Sequence, residues 1–176
     1  MNRQMRWGIL LVVLGMLVSA PLSAQTFSAL NASGSGRNES NCFHTFFPGC
    51  TVSASGTSTG TPIGGDWILR LDIGGPTSQN GSTTSPQGVC IPGAGAGTIT
   101  ETGGDTLSFN AVGTVCEEGV SSGPYVFIGT YRITGGTGRF AAAIGTGSAS
   151  AAYGREGTFT RGAGYALLQL TGSISY

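Results

Sequence analysis

Tyr131 and Arg132 stand side by side in the run "PYVFIGTYRIT", and Glu117 and Glu118 directly follow Cys116. An arginine next to a tyrosine could clamp a ligand carboxylate, with the guanidinium making paired hydrogen bonds and the phenol forming a polar wall. A glutamate brought to the same place would serve as general acid or base. Tyr131, Arg132 and Glu117 are therefore the candidate ligand-binding residues. Arg70 and Asp72, two apart in "DWILRLDI", are a second charged pair. The plainer reading makes all of these solvated strand-face or rim residues, with Arg132 paired to an acid on a neighbouring strand. The rarity of buried charge favours that reading. Hydrolase chemistry has no support, because His44 is the sole histidine and no G-x-S-x-G elbow exists. No catalytic residue is assigned.

Two glycine clusters, "GGTGRF" at 135–140 and "GAGAG" at 93–97, invite comparison with phosphate-cradling loops. Such loops need a helix directly behind them whose amides face the anion, and the nucleotide-binding version needs a lysine. The residues after "GGTGRF" are "AAAIGTGSASAAYG", too broken by glycine for a helix, and the chain has no lysine at all. The corner therefore reads as a strand-to-strand connection with Phe140 tucked beneath it into the core. No cofactor is expected.

Four cysteines, Cys42, Cys50, Cys90 and Cys116, suggest two disulfides in an exported chain. The segment "GTITETGGDTLSFNAV" reads as a hairpin turning at Gly103 and Gly104. That register sets Cys90 almost opposite Cys116, as a cross-strand bridge requires, and leaves Cys42 to close the loop "CFHTFFPGC" with Cys50. Zinc is the weaker reading, since neither pair is a close C-x-x-C and only His44 could add a nitrogen ligand. The phenylalanines of that loop read as a cap on one end of the fold or, failing that, as an apolar lip for a ligand or partner.

The segments that must position these residues begin after a leader. Arg3 and Arg6, the apolar run Gly8 to Val18 and small residues before a cut after Ala24 have the three parts of a secretory signal. The run is short of the ~20 residues that span a bilayer, so the competing reading, a retained membrane anchor, is disfavoured. Residues 1–24 are thus expected to be removed and residues 25–176 to form a single secreted domain, extracellular or periplasmic. That mature chain has six arginines against eight acids, net −2. So few cations argue against nucleic acid and against an anionic membrane surface as partners.

Period-two alternation runs through the mature chain. Trp67, Leu69, Leu71 and Ile73 alternate with Ile68, Arg70 and Asp72; Leu107, Phe109, Ala111 and Val115 alternate with Thr106, Ser108, Asn110 and Thr114. Ala166, Leu168, Leu170, Ile174 and Tyr176 share one face of the last segment. "PYVFI" is apolar on both faces, as a deeply buried strand would be. Eight to ten such strands are expected, beginning near Phe27, Thr51, Asp66, Gly97, Thr106, Tyr125, Ala141, Thr158 and Tyr165. No amphipathic helix longer than a turn or two is visible, and Gly74 to Gly88 reads as a long mobile loop. The pattern predicts an all-β fold: a single antiparallel closed β-barrel of about eight strands.

The segment "GTYRITGGTGRFAAAIGTG" resembles the Y-x-x-x-GG-[ST]-G-x-F-x-x-A-x-G stretch of allene oxide cyclases and plant dirigent proteins. It is also similar to small secreted bacterial proteins with "GGTGRFxxAxG" and a "TGxIxY" ending, matched here by "LTGSISY". The matching positions are Tyr131, Gly135, Gly136, Thr137, Gly138, Phe140, Ala143 and Gly145. The resemblance implies an eight-stranded antiparallel barrel, trimeric in many plant members, around an apolar pocket that works without a cofactor. The plant catalytic groups lie outside the matched segment, so it transfers fold and not activity. The leading expectation is a non-catalytic secreted module that binds a small apolar ligand or associates with copies of itself. One alternative is a cofactor-free isomerase or cyclase acting in the barrel. Others are a structural surface protein whose Ser/Thr-rich faces meet a partner or glycan, and a small outer-membrane barrel, for which the chain has few girdle aromatics.

Overall fold

Alternating apolar and polar residues build strands that each offer one dry face, and closing such a sheet on itself buries all those faces at once. In the computed structural model, which describes residues 26–40, 42, 49–74, 83–85, 88–117, 124–154 and 163–176, this is the arrangement found. The strands are β1 (Ser28–Ser40), β2 (Cys50–Thr61), β3 (Gly65–Ile73), β4 (Thr83–Ser85), β5 (Gly88–Thr100), β6 (Thr106–Glu117), β7 (Tyr125–Gly136), β8 (Ile144–Tyr153) and β9 (Ala163–Ser175). Eight of them form a closed antiparallel barrel in which each long strand pairs with the next, β3 pairs with β5, and β9 returns to β1. β4 is a short addition on the start of β5. Among the described residues the only helical feature is one 3-10 turn, Gly138–Phe140.

The expected strand starts at Phe27, Thr51, Asp66, Thr106 and Tyr125 fall within one residue of those observed. Two differ more. β5 opens at Gly88, nine residues before the expected Gly97, because "GVCIPGAGAG" has no alternation of its own and is held extended by its neighbours β3 and β6. β8 opens at Ile144 and not Ala141, because the chain first completes the 3-10 turn. The expected loop from Gly74 to Gly88 contains β4 and ends inside β5; the rest of it, like the strand start at Thr158 and the leader, lies outside the described residues.

Inside the barrel, Trp67, Phe109, Leu71, Leu107 and Leu170 are all buried, each on the face that the alternation marks as apolar, and Phe127 is buried with them. The predicted burial of both faces of "PYVFI" is corrected: Tyr125 and Phe127 point inward, while Ile128 is 60% exposed on the outer wall. A single closed sheet has only one dry side, and no second layer of the described residues covers β7. Tyr176 also departs from its expected place, being half exposed.

The lumen explains the glycine content. Eight strands leave an interior just wide enough for side chains, so large residues must face small ones. The Phe109 ring occupies the place where a Cβ on Gly97 would sit, with Cζ 2.3 Å from that point. Trp67 covers Gly34 in the same way, and the Tyr131 ring lies over the paired glycines Gly147 and Gly172. Each of these contacts would be shorter than any real Cβ tolerates. The Trp67 indole also donates its N–H to the Thr57 carbonyl at 3.2 Å.

Both disulfides form as the register argument predicts. Cys90 and Cys116 are direct partners across β5 and β6, and Cys42 joins Cys50. The β5–β6 hairpin turns at Gly103 and Gly104, with Thr100 opposite Thr106 and Gly104 at a φ of 91°.

Candidate functional site

The "GGTGRF" corner closes one end of the barrel. Gly135 lies at the bulge where β7 leaves its register with β6, and its φ of 123° belongs to the region glycine prefers. Thr137 then ties the corner to the start of β6. Its backbone N–H donates to the Thr106 carbonyl, and its hydroxyl accepts from the Thr106 N–H, both at 3.0 Å. Gly138 turns at a φ of 55° directly over the Asp105 carboxylate, where a Cβ would collide with Oδ1. That carboxylate accepts the backbone N–H of Arg139 at 3.1 Å. The chain then drops Phe140 into the core with no exposed surface, as the sequence predicts.

Arg139 gathers the turns around this end. Its guanidinium makes a two-pronged ion pair with Glu101 of the β5–β6 turn, Nε lying 3.2 Å from Oε2 and a terminal nitrogen contacting Oε1. A terminal nitrogen also donates to the Pro62 carbonyl, 2.7 Å away in the β2–β3 connection. The cation lies 4.5 Å from the Phe140 ring centre and 5.6 Å from that of Tyr176, and those two rings are 5.0 Å apart. The hydrogen bond to Glu101, followed by the charge of that residue, holds Arg139 still more firmly in its cationic form. Arg139, Glu101 and Asp105 each find partners within the protein, so the chemistry of this cluster is fastening. Arg139, Glu101 and Asp105 were missed from sequence; the signal available was an acid on each side of the Gly103–Gly104 turn and an arginine in the glycine corner.

Of the three candidate ligand residues, Tyr131 and Arg132 are not brought together. Tyr131 points into the barrel, 2% exposed, its ring edge-on to Phe109 with centres 6.1 Å apart. Its hydroxyl has no hydrogen-bond partner among the described residues, and burial pushes its pKa up to about 12. Arg132, its neighbour, is exposed on the outer wall between Asn110 of β6 and Thr146 of β8. Adjacent strand residues face opposite sides of a sheet, so the two side chains lie on different sides of the barrel wall. Glu117 ends β6 opposite Tyr125, and its side chain, like Glu118 and His44, lies outside the described residues. Arg70 and Asp72 share the outer wall as expected, 3.4 Å apart and both well exposed, and Asp72 also accepts from the Thr51 hydroxyl.

Among the described residues, side chains of the chain itself pack the lumen. A cavity bordered there by Val52, Trp67, Leu71 and Tyr153 measures about 10 Å³. That is room for about one water-sized sphere, whereas clefts for small ligands begin near ~300 Å³. The outer wall is the reverse of the lumen: Ser33, Thr59, Arg70, Asn110, Thr146 and Gln169 are exposed there, interrupted by Ile68, Val112, Ile128 and Leu167. Comparison of the chain with protein-family models, with curated proteins and with solved structures gives no match.

Proposed function

We propose that this chain is a secreted, non-catalytic β-barrel module, kin to the allene oxide cyclase and dirigent barrels, that acts through its outer wall by association with copies of itself. The observation that carries the reading is the packing of Trp67, Phe109, Phe127 and Tyr131 in the lumen, where the cavity beside Trp67 measures about 10 Å³. An apolar ligand, or a substrate for a cyclase, would have to displace several of those rings. The opposite orientations of Tyr131 and Arg132 also speak against an enzyme site built from that pair.

Export is supported by the leader and by two disulfides, which persist in oxidising compartments. An outer-membrane role is disfavoured because such barrels carry an apolar outer band and a polar interior, the inverse of this arrangement. Self-association is favoured by a run of apolar outer residues: Val126, Ala152 and Leu167 are aligned across β7, β8 and β9, with Ile128 beside them. Kinship with the two named families is supported by the closed eight-stranded barrel and by the place of "GGTGRF" at the β7–β8 corner.

Native mass spectrometry of protein purified from its own producer tests the reading, together with light scattering over a dilution series. Expected are oligomers without bound small molecules, which Leu167→Asp and Ile128→Asp convert to monomers that keep the β-sheet circular dichroism of the parent and lose only the stability that association adds. A co-purifying apolar molecule that shields the lumen residues would overturn it.

A further inference from the structure

A groove runs along the outer wall over β1, with a volume of about 290 Å³. Asn31 and Ser33 of β1 form its centre, Thr59 and Thr61 of β2 one bank, and Gln169 and Thr171 of β9 the other. The register sets Thr61, Asn31 and Thr171 in one row, and Thr59, Ser33 and Gln169 in the next. With strands ~4.8 Å apart and alternate residues ~7 Å apart, the six side chains make a regular two-by-three array.

None of these six side chains exchanges a hydrogen bond with another of the described residues. Elsewhere on the wall comparable hydroxyls do find protein partners, as Thr51 does with Asp72 and Thr106 with Thr137. With no partner among the described residues, these exposed polar groups are open to a partner from solution.

The chemistry of the array narrows that partner. Four hydroxyls and two carboxamides can each donate and accept, and none carries charge. An ion would find no countercharge here, and nucleic acid would find no cation for its phosphates. An apolar ligand would strip water from six polar groups and leave them unpaired, at a cost of ~1–3 kcal/mol each. A neutral ligand with many hydroxyls on a stiff frame avoids all three penalties. The volume is close to the lower end of small-ligand clefts, ~300 Å³. We propose that the β1 groove is a binding site for a neutral oligosaccharide, held by Asn31 and Gln169 and flanked by the hydroxyls of Ser33, Thr59, Thr61 and Thr171. The proposal rests on the reading that the outer wall, and not the lumen, is the working surface.

The test is an NMR titration of the secreted chain with maltotriose, cellotriose and chitotriose in its N-acetylated form. Expected is saturable movement of the backbone signals of these six residues with at least one sugar, insensitive to added salt as befits an uncharged contact. Combining Asn31→Ala with Gln169→Ala should weaken that binding about tenfold or more while leaving the thermal midpoint in place, since both residues are exposed. Silence of the groove toward all three sugars, or unchanged affinity in the double variant, overturns the proposal. Movement of Trp67, Phe109 and Tyr131 signals instead would overturn the outer-wall reading itself, so the two failures are told apart.

Discussion

Tyr131 holds a hydroxyl inside the barrel with no hydrogen-bond partner among the described residues. A buried, unanswered polar group costs ~1–3 kcal/mol, so Tyr131→Phe should leave stability unchanged or raise it by about 1 kcal/mol in urea unfolding. A loss of that size would mean that the phenol has a partner, such as an internal water. The same residue predicts an alkaline effect. The phenol ionises near 10 in the unfolded chain and near 12 in the folded one. Above pH 10 the unfolded chain thus releases a proton that the folded chain retains, and stability falls as pH rises from 10 toward 12. Each unit in that window removes on the order of 1 kcal/mol, none is removed below it, and Tyr131→Phe should flatten the slope. Arg132 differs by one position and lies on the opposite side of the wall, exposed. Period two alone separates the pair, and on that ground a shared Tyr131–Arg132 pocket required a fold other than a strand.

At the scale of the element, the β7–β8 corner is fastened by one buried ring and one bridging cation. Phe140→Ala removes a fully buried aromatic and should cost about 3–5 kcal/mol in chemical unfolding. Arg139→Ala should lower the thermal midpoint by less than that. Arg139→Lys should not restore it, because an ammonium cannot reproduce the fork on Glu101 or reach Pro62 as well. The strand pair β5–β6 offers a test of the packing of rings over glycines. Gly97→Ala sets a methyl into the Phe109 ring and should cost about 1–3 kcal/mol. Combined with Phe109→Leu, the two losses should sum to less than their separate values, by roughly 0.5 kcal/mol or more, in a double-mutant cycle. Strict additivity would show that ring and glycine do not share the space.

Across the whole molecule, closure and two cross-links do what size alone does not. Replacing Cys90 and Cys116 with serine opens a loop of sequence separation 26 and should cost about 3–4 kcal/mol by loop-closure entropy, with the barrel still able to form. Unfolding with and without reductant measures it. Among the described residues the closed sheet leaves no long strand with a bare edge, so the proposed association of copies would proceed through side chains of the outer wall and not by strand addition. The oxygen-rich groove over β1 and the apolar run across β7 to β9 are the surfaces to which the two proposals belong.

The strands, their inward faces and the Cys90–Cys116 bridge were legible in the sequence because each depends on spacing along a strand or across one hairpin. Trp67, Phe109 and Leu170 declare their faces by alternation, and the bridge follows from a turn at Gly103–Gly104. Glycine-rich β5 was less legible: it carries no side-chain pattern, and its extended form is imposed by β3 and β6 on either side. The grouping of Arg139 with Glu101, Pro62 and Tyr176 depends on segments up to 77 residues apart, so only closure of the barrel could assemble it. The same holds for the groove, whose rows draw on β2, β1 and β9, the two ends of the chain. Local periodicity determined which side of the wall most strand residues face; the tertiary structure decided that, among the described residues, the inward rings pack against one another and against glycines across the lumen, because only closure of the sheet brings the strands that carry them together.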